Sequence, residues 1–452
     1  MSPCGIAYSL AALDMTKKLY RIIPMLSFVA ILPEAAPLRG HHTAITFVHE
    51  AGPRSSDTIV AVREAILPVR RKALASNYRV IAFGGGLTAG FRNGGLFREG
   101  QQWAYPNLIA RQMGAPFAQP LFSKSRGNGT GYFTVPATSS ASGRGKVSNN
   151  LAVSETDGSL EPYNGTSVNN FAVPYFSRRM DLSGHLRTYA LPFISRINPG
   201  ASKRAPLSQQ EWISSLDIHS DLFVFEAGFD DLVHSIRNDG GGISQIAFET
   251  LDRTDEMKMI GELVKTGKKG LLLNVPDVLS LPYFQQYNWD KIKNYQVRLM
   301  VKRSTSVEPV DFDPETDQLL PCETAEKIIT GKLTGTILLK DSEVISRDPY
   351  DNEFLVADPA SFNRFKIGRA ALQYGLAITD LHEIYRKIMA GNYTTHDGVQ
   401  IVPSWPAGNF FSADGIYPTE LGQAVIANEC ILTLNRHYGL SIPLIATKDV
   451  RK

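Results

Sequence analysis

Cysteine is scarce in this sequence, and both clustered charge and long apolar runs are absent. The three cysteines, Cys4, Cys322 and Cys430, lie far apart and match no C-x-x-C spacing, so they indicate neither a disulfide framework nor a zinc site. The net charge is only +3, and no run of five Lys or Arg residues occurs, so nothing favours nucleic acid as a partner. No apolar run reaches the ~20 residues of a membrane-spanning helix.

The composition is that of a globular chain. With 452 residues, 43% hydrophobic and 20% charged, it can bury one large core with insertions, or two smaller ones. Buried strands alternate with amphipathic helices, which predicts a parallel sheet covered by helices on both faces. The elements predicted after residue 220 are strands at 221–226, 271–275 and 376–380, helices at 255–266, 362–374, 381–390 and 423–435, and a hairpin near 334–344.

The N-terminus has the pattern of an export signal. Lys17, Lys18 and Arg21 precede an apolar run over 22–32, and the small residues Ala35 and Ala36 follow. This order, a basic segment, then a short apolar segment, then small residues as at a cleavage site, predicts a signal peptide over 1–36. The protein would then be periplasmic, outer-membrane-associated or extracellular. The alternative is an internal hydrophobic helix. Residues 37–77 are interpreted as a lead-in to the first strand.

The chain is organised around Gly84-Gly85-Gly86, which ends an apolar, β-branched run starting at Tyr78. Glycines at the end of a parallel strand mark a place where the backbone is approached closely. One interpretation is a dinucleotide loop, since Gly84-x-Gly86-x-x-Ala89 fits G-x-G-x-x-A. However, the residues that follow would break a helix, and no acidic residue occurs over 100–154 to bind a ribose. Nucleotide binding is therefore not favoured.

The second interpretation is a resemblance to the SGNH/GDSL ester hydrolases. The segment from Gly84 to Gly90 resembles their G-D-S-L-T-A-G block, with Gly85 in place of the Asp and Gly86 in place of the nucleophilic Ser. The continuation over 94–110 resembles a branch of that family frequent among Bacteroidetes. The resemblance covers roughly 78–440.

Three later blocks continue the resemblance but depart from it at the residues that carry chemistry. Residues 169–175 are similar to N-N-L-G-V-P-G, and Tyr175 replaces the final Gly, which lends a backbone N–H to the oxyanion. Residues 228–231 resemble G-x-N-D, and Asp230 replaces the Asn whose amide faces the oxyanion. In the block resembling D-G-x-H-P-T, Asp414 is kept, whereas Tyr417 replaces the His base.

The resemblance implies a three-layer α/β/α SGNH-hydrolase-like (flavodoxin-like) domain over 78–440, with a parallel sheet of about five strands. Insertions are expected near 123–167 and 285–345, and a C-terminal tail over 441–452. The first insertion is rich in Ser, Gly, Asn and Thr, so we expect it to run over the surface, where it would serve as a lid.

The substitutions predict a catalytically degenerate protein that binds a ligand or partner through the vestigial cleft. Two tyrosines and a carboxylate there suit carbohydrate hydroxyls or a cationic group better than an ester carbonyl. The predicted ligand-binding residues are Gly86, Tyr175, Asp230, Asp231, Asp414 and Tyr417. No cofactor is expected.

Three alternatives remain open at this point. A working hydrolase of acyl or acetyl esters would need a rearranged site, with Thr88, His234 or the His396-Asp397 pair as substitute catalytic groups. Asp230, Asp231 and Asp414 would offer oxygen ligands to Ca²⁺ or Mg²⁺ if they gathered, although no metal site is predicted. A purely structural role is the third.

Overall fold

The computed structural model describes the larger part of the chain after residue 77. The described ranges are 78–134, 145–175, 184–198, 218–226, 228–240, 256–267, 269–304, 306–349, 351 and 359–450. The predicted signal peptide, the predicted lead-in and residues 135–144 of the first predicted insertion lie outside them.

The strands are short, and most are buried on at least one face. In chain order they are β1 Val80–Phe83, β2 Tyr132–Phe133, β3 Lys146–Val147, β4 Leu222–Glu226, β5 Gly270–Leu273, β6 Val297–Lys302, β7 Val310–Asp311, β8 Asp317–Leu319, β9 Gly335–Lys340, β10 Val344–Ser346 and β11 Ala377–Thr379.

The helices range from single turns to five turns. They are α1 Gly86–Ala89, α2 Arg98–Gln102, α3 Tyr105–Met113, α4 Gly184–Ile197, α5 Phe229–Asp239, α6 Glu256–Thr266, α7 Trp289–Ile292, α8 Glu323–Ile329, α9 Pro359–Phe362, α10 Arg369–Tyr374, α11 Leu381–Met389 and α12 Glu420–Tyr438. A π-helical stretch, Asn363–Gly368, joins α9 to α10.

The core of the fold is a parallel sheet in the order β1-β4-β5-β11. A further segment, 169–173, lies along the free edge of β1. Ala82 N–H donates to Asn169 O over 2.8 Å, and Phe171 N–H donates to Ala82 O over 2.8 Å. Counting that segment, the order in chain sequence is 2-1-3-4-5, the flavodoxin-like order. The predicted α/β fold with a parallel sheet of about five strands is confirmed.

The strands at the sheet centre are apolar throughout because both of their faces are covered. Every residue of β1, β4 and β5 is buried, and helices α3 and α12 pack against β1 and β11 respectively. Local signals set the bounds of α12: the Thr419 hydroxyl accepts the Gly422 N–H, and Gly439 ends the helix with a left-handed φ of 63°. The predicted helix and strand positions after residue 255 agree with the structure, apart from the hairpin.

The predicted hairpin near 334–344 is wrong. Strand β9 pairs in parallel with β6, whereas β10 pairs with β8 in a different sheet. Between them, the Glu343 carboxylate accepts the Lys340 N–H over 2.8 Å and holds a 3-10 turn that turns the chain away. Ile337 and Leu339 pack into a separate cluster of buried residues within the second predicted insertion, and this burial decides the partner of β9.

The described parts of the first predicted insertion form the small β2–β3 ladder and loops that are mostly at the surface, as the composition predicts. Whether this segment acts as a lid stays a prediction. Across the described ranges, no helix has the length and apolar character needed to cross a membrane.

We predict that truncating Phe83 severely destabilises the protein. The Phe83 ring is fully buried and stacks on Phe171 with centroids 5.1 Å apart, so Phe83→Ala leaves a cavity at the sheet centre and costs about 3–5 kcal/mol. The matched control is Phe365→Ala, because Phe365 is 60% exposed, and this change should stay within about 0.5 kcal/mol. Urea unfolding of both variants measures the difference, and equal losses would contradict this account of the core.

Candidate functional site

The glycine turn after β1 lies at the carboxyl edge of the sheet, between β1 and β4. In a sheet of this order the chain crosses to opposite faces on the two sides of that point, and α/β proteins place their sites there. Glycine is required because other groups approach closely. A Cβ on Gly84 would lie 2.5 Å from Thr88 Oγ1, and one on Gly85 would lie 2.7 Å from Asp230 Cγ.

Asp230, in the first turn of α5, is the centre of the site. Its Oδ2 accepts the backbone N–H of Gly86 over 2.7 Å and that of Tyr175 over 2.8 Å. The Tyr417 hydroxyl donates to Oδ1 over 2.7 Å. Only 2% of Asp230 is exposed, so the three donors take the place of water around a buried carboxylate. We call Gly86, Tyr175, Asp230 and Tyr417 the Asp230 network.

Glu226, the last residue of β4, supports the same turn. Its carboxylate accepts the N–H of Gly85 over 3.0 Å, the Thr88 hydroxyl over 3.2 Å and the N–H of Phe229 over 3.4 Å. Glu226 is not among the site residues predicted from the sequence. The available signal was an acidic residue ending an otherwise apolar strand, LFVFE, at the edge where the glycine turn lies.

Burial determines the protonation of these two carboxyls. Loss of solvent, joined by the negative charge of Asp230, raises the pKa of Glu226 to about 7. Loss of solvent also raises the pKa of Asp230 to about 6, although the Tyr417 hydroxyl and the two backbone N–H groups partly oppose this. Both carboxyls therefore keep their protons up to a higher pH than ordinary carboxyls do.

Tyr175 takes a backbone conformation that normally suits glycine. Its φ is 64°, in the left-handed region, which costs a non-glycine residue about 1 kcal/mol or more. Its ring packs against Phe91, Phe193 and His234, with centroids 5.7, 6.0 and 4.5 Å apart. The backbone therefore directs its N–H into the site as a glycine would, while the side chain fills the space around it.

Asp414 organises the loop that carries Tyr417 through hydrogen bonds to three backbone N–H groups. It accepts the N–H groups of Gly94, Ile416 and Tyr417 over 2.8, 2.9 and 2.9 Å. The Tyr417 ring is buried, and burial raises the pKa of its hydroxyl well above the ordinary value. Tyr417 therefore keeps its proton and acts as a hydrogen-bond donor.

The remaining candidates occupy distinct places. Asp231 is buried beside Asp230 on α5, and His234 is buried one turn further on, where loss of solvent lowers its pKa to about 4. The Thr88 hydroxyl is engaged by Glu226. Asp397 bonds to the C-terminal residues Thr447 and Lys448, away from the glycine turn.

The structure thus brings together four of the six predicted ligand-binding residues through direct hydrogen bonds, namely the members of the Asp230 network. Asp414 bonds to the loop that presents Tyr417, and Asp231 adjoins Asp230 in sequence. Five of the six are buried, and only Tyr175 is partly exposed. Their role in ligand binding stays a prediction. In the part of the chain that the structure describes, no three His, Cys, Asp or Glu side chains gather in a way that would hold a metal ion.

The fold and the site define a doubly wound α/β protein with a buried carboxylate at its switch point. No protein-family model and no curated protein matches the chain. Among solved structures, a protein from Slackia heliotrinireducens described as a "putative SGNH hydrolase" matches 79% of this chain and 99% of its own length. The identity is 11% and the TM-score 0.29, too low to carry an argument about the site.

We predict that Glu226→Gln changes how stability depends on pH. An acid whose pKa is higher in the folded than in the unfolded state stabilises the fold fully below about pH 4, and that contribution is lost as the pH rises through about 7. Glutamine cannot lose a proton, so the variant does not lose this contribution. Its free energy of unfolding, relative to that of wild type, should therefore rise by roughly 2–3 kcal/mol as the pH is raised from 5 to 8.

Urea unfolding at the two pH values measures this gain. The control is the exposed Glu155→Gln, which should differ from wild type by less than about 0.5 kcal/mol at both. A constant difference between Glu226→Gln and wild type would contradict the assignment of the proton to Glu226.

Proposed function

We propose that this chain is an exported, non-hydrolytic protein with an SGNH-like fold that binds a ligand or partner at the sheet edge carrying Tyr175. The observation that supports this proposal is the position of the Asp230 carboxylate. Two backbone N–H groups, from Gly86 and Tyr175, converge on a single oxygen of Asp230. Paired N–H groups of this kind stabilise the oxyanion of the substrate in ester hydrolases. Here the protein supplies its own anion to them.

Displacement of that anion by a substrate would be costly. Each hydrogen bond to a charged group contributes about 1.5–3 kcal/mol, and Asp230 accepts three. A developing oxyanion placed near the buried carboxylate would also be repelled by it. The same contacts that satisfy Asp230 therefore oppose acyl-transfer chemistry at this position.

The nucleophile and the general base that ester hydrolysis requires are missing as well. Gly86 has no side chain, and the Tyr417 hydroxyl keeps its proton and donates a hydrogen bond to Asp230, so it is not free to act as a base. In serine hydrolases, loss of nucleophile and base costs about 10⁴–10⁶ in rate. An occupied oxyanion position removes part of the catalysis that would otherwise remain.

A ligand at this edge would contact the half-buried ring of Tyr175, because the other members of the Asp230 network are buried. A tyrosine ring offers an apolar face to a sugar and a π face to a cation. This agrees with the carbohydrate or cationic ligand expected from the substitutions.

Wild-type protein should release no p-nitrophenol from p-nitrophenyl acetate or butyrate above the buffer blank, and a fluorophosphonate probe should not label it. The reason is the absence of a nucleophile beside the occupied N–H pair. An active serine esterase run in parallel verifies the reagents. Turnover or labelling would overturn the proposal in favour of a hydrolase of acyl or acetyl esters with a rearranged site.

Restoring only the nucleophile and base should fail. A Cβ on Gly86 would lie 3.0 Å from the Tyr417 hydroxyl oxygen. The double variant Gly86→Ser/Tyr417→His removes that hydroxyl and so makes room for the serine. Asp230, however, still accepts both N–H groups, so we expect almost no esterase activity. Adding Asp230→Asn should raise the rate by about 10² or more.

Tyr175→Gly in the triple variant is the matched control, and it should change little because the Tyr175 N–H already points into the site. A double variant that hydrolyses p-nitrophenyl acetate as fast as the triple variant would show that Asp230 does not occupy the oxyanion position.

A further inference from the structure

A cavity lies apart from the Asp230 network, where the second predicted insertion meets the sheet domain. Its volume is about 540 Å³, within the range of small-molecule sites. Gln285, Gln286 and Lys291 line one side, and Met389, Pro403 and Trp405 line another. No member of the Asp230 network lines it.

Lys291 brings an uncompensated positive charge to this cavity. Its Nζ donates to the carbonyl oxygens of Gln285 and Gln286 over 3.0 and 2.9 Å, which leaves one of three N–H groups for another acceptor. Loss of solvent lowers its pKa. Lys291 is an exposed residue, and its ammonium makes no ion pair with a carboxylate in the part of the chain that the structure describes. A negative charge at the mouth of the cavity therefore meets a cation with one N–H to spare.

The two glutamine amides add no donor to this cavity. The Gln285 Nε2 is engaged by Leu279 O over 2.7 Å, and the Gln286 Nε2 is buried without accessible surface. The cavity therefore presents one ammonium N–H with capacity left over.

The rest of the cavity wall is mainly apolar. The Trp405 indole N–H already donates to Ser412 O over 2.9 Å, so the indole meets the cavity with carbon surface. Pro282, Pro403 and Met389 add further apolar contact. Flat apolar walls of this kind pack against ring compounds.

We propose that this cavity binds a carboxylate-bearing ring compound the size of a mono- or disaccharide, with its carboxylate on Lys291 and its ring against Trp405. The inference goes beyond the proposed function, since it concerns a different site. An acidic sugar and an aromatic acid share this chemistry, and the experiment separates them.

Isothermal titration of the full-length protein with four probes tests the proposal. Digalacturonate is compared with its methyl ester, and benzoate with benzamide. At least one acid should bind at millimolar concentration or below, and its neutral counterpart should bind about tenfold or more weakly, because hydrogen bonds to charged groups are the stronger ones. The arm that binds identifies the source as sugar or aromatic acid. Failure of both acids, or equal binding of acid and neutral analogue, would overturn the proposal.

Lys291→Gln should weaken binding of the acid by about tenfold and leave binding of the neutral analogue unchanged. Lys332→Gln is the control, since Lys332 is exposed on the same insertion and does not line the cavity. Equal effects of the two substitutions would contradict the proposal. Thermal melts establish that each variant is folded, and if Lys291→Gln is not, the acid and neutral pair on wild type decides the question alone.

Discussion

The carboxylate of Asp230 is the interaction on which the site depends. Its hydrogen bonds join residues 55, 144 and 187 positions away in sequence, so one side chain ties together the glycine turn, the segment ending at Tyr175 and the loop carrying Tyr417. A buried carboxylate requires such partners, because an unpaired one would be too costly to keep. The requirement is mutual, since two of the three donors are backbone N–H groups at the end of the sheet that would otherwise lack an acceptor.

The other features of the site follow from these hydrogen bonds of Asp230. Gly85 must lack a side chain because the Asp230 carboxyl lies where its Cβ would be. Tyr175 has a left-handed backbone, and in this conformation its N–H donates to Asp230. The pKa of Glu226 is raised because its carboxyl is removed from solvent and, in addition, lies beside the negative charge of Asp230. Each of these residues is locally unusual, and together they are mutually consistent.

Much of the fold could be predicted from the sequence because its strands are buried on both faces and its helices carry clear end signals, as at β4 and α12. The proximity of Gly86, Asp230 and Tyr417 was accessible only through the resemblance of their flanking motifs. That both N–H groups share one Asp230 oxygen could not be predicted, because it depends on tertiary distances of a few tenths of an ångström. The parallel pairing of β9 with β6 was missed for a related reason: the local turn signal at 341–343 says nothing about a partner strand some forty positions earlier.

The second predicted insertion carries its own buried cluster, which includes Leu299, Val301, Ile337 and Leu339. In the described ranges none of these side chains belongs to the cluster around the parallel sheet. Contacts confined to this smaller cluster can be lost without opening the sheet, so local unfolding of β6 and β9 should cost less free energy than unfolding of the whole domain. Leu320 and Ile345 still tie the insertion to the cluster around the sheet, so we expect the amide hydrogens of β6 and β9 to exchange through smaller openings than those of β1 and β4.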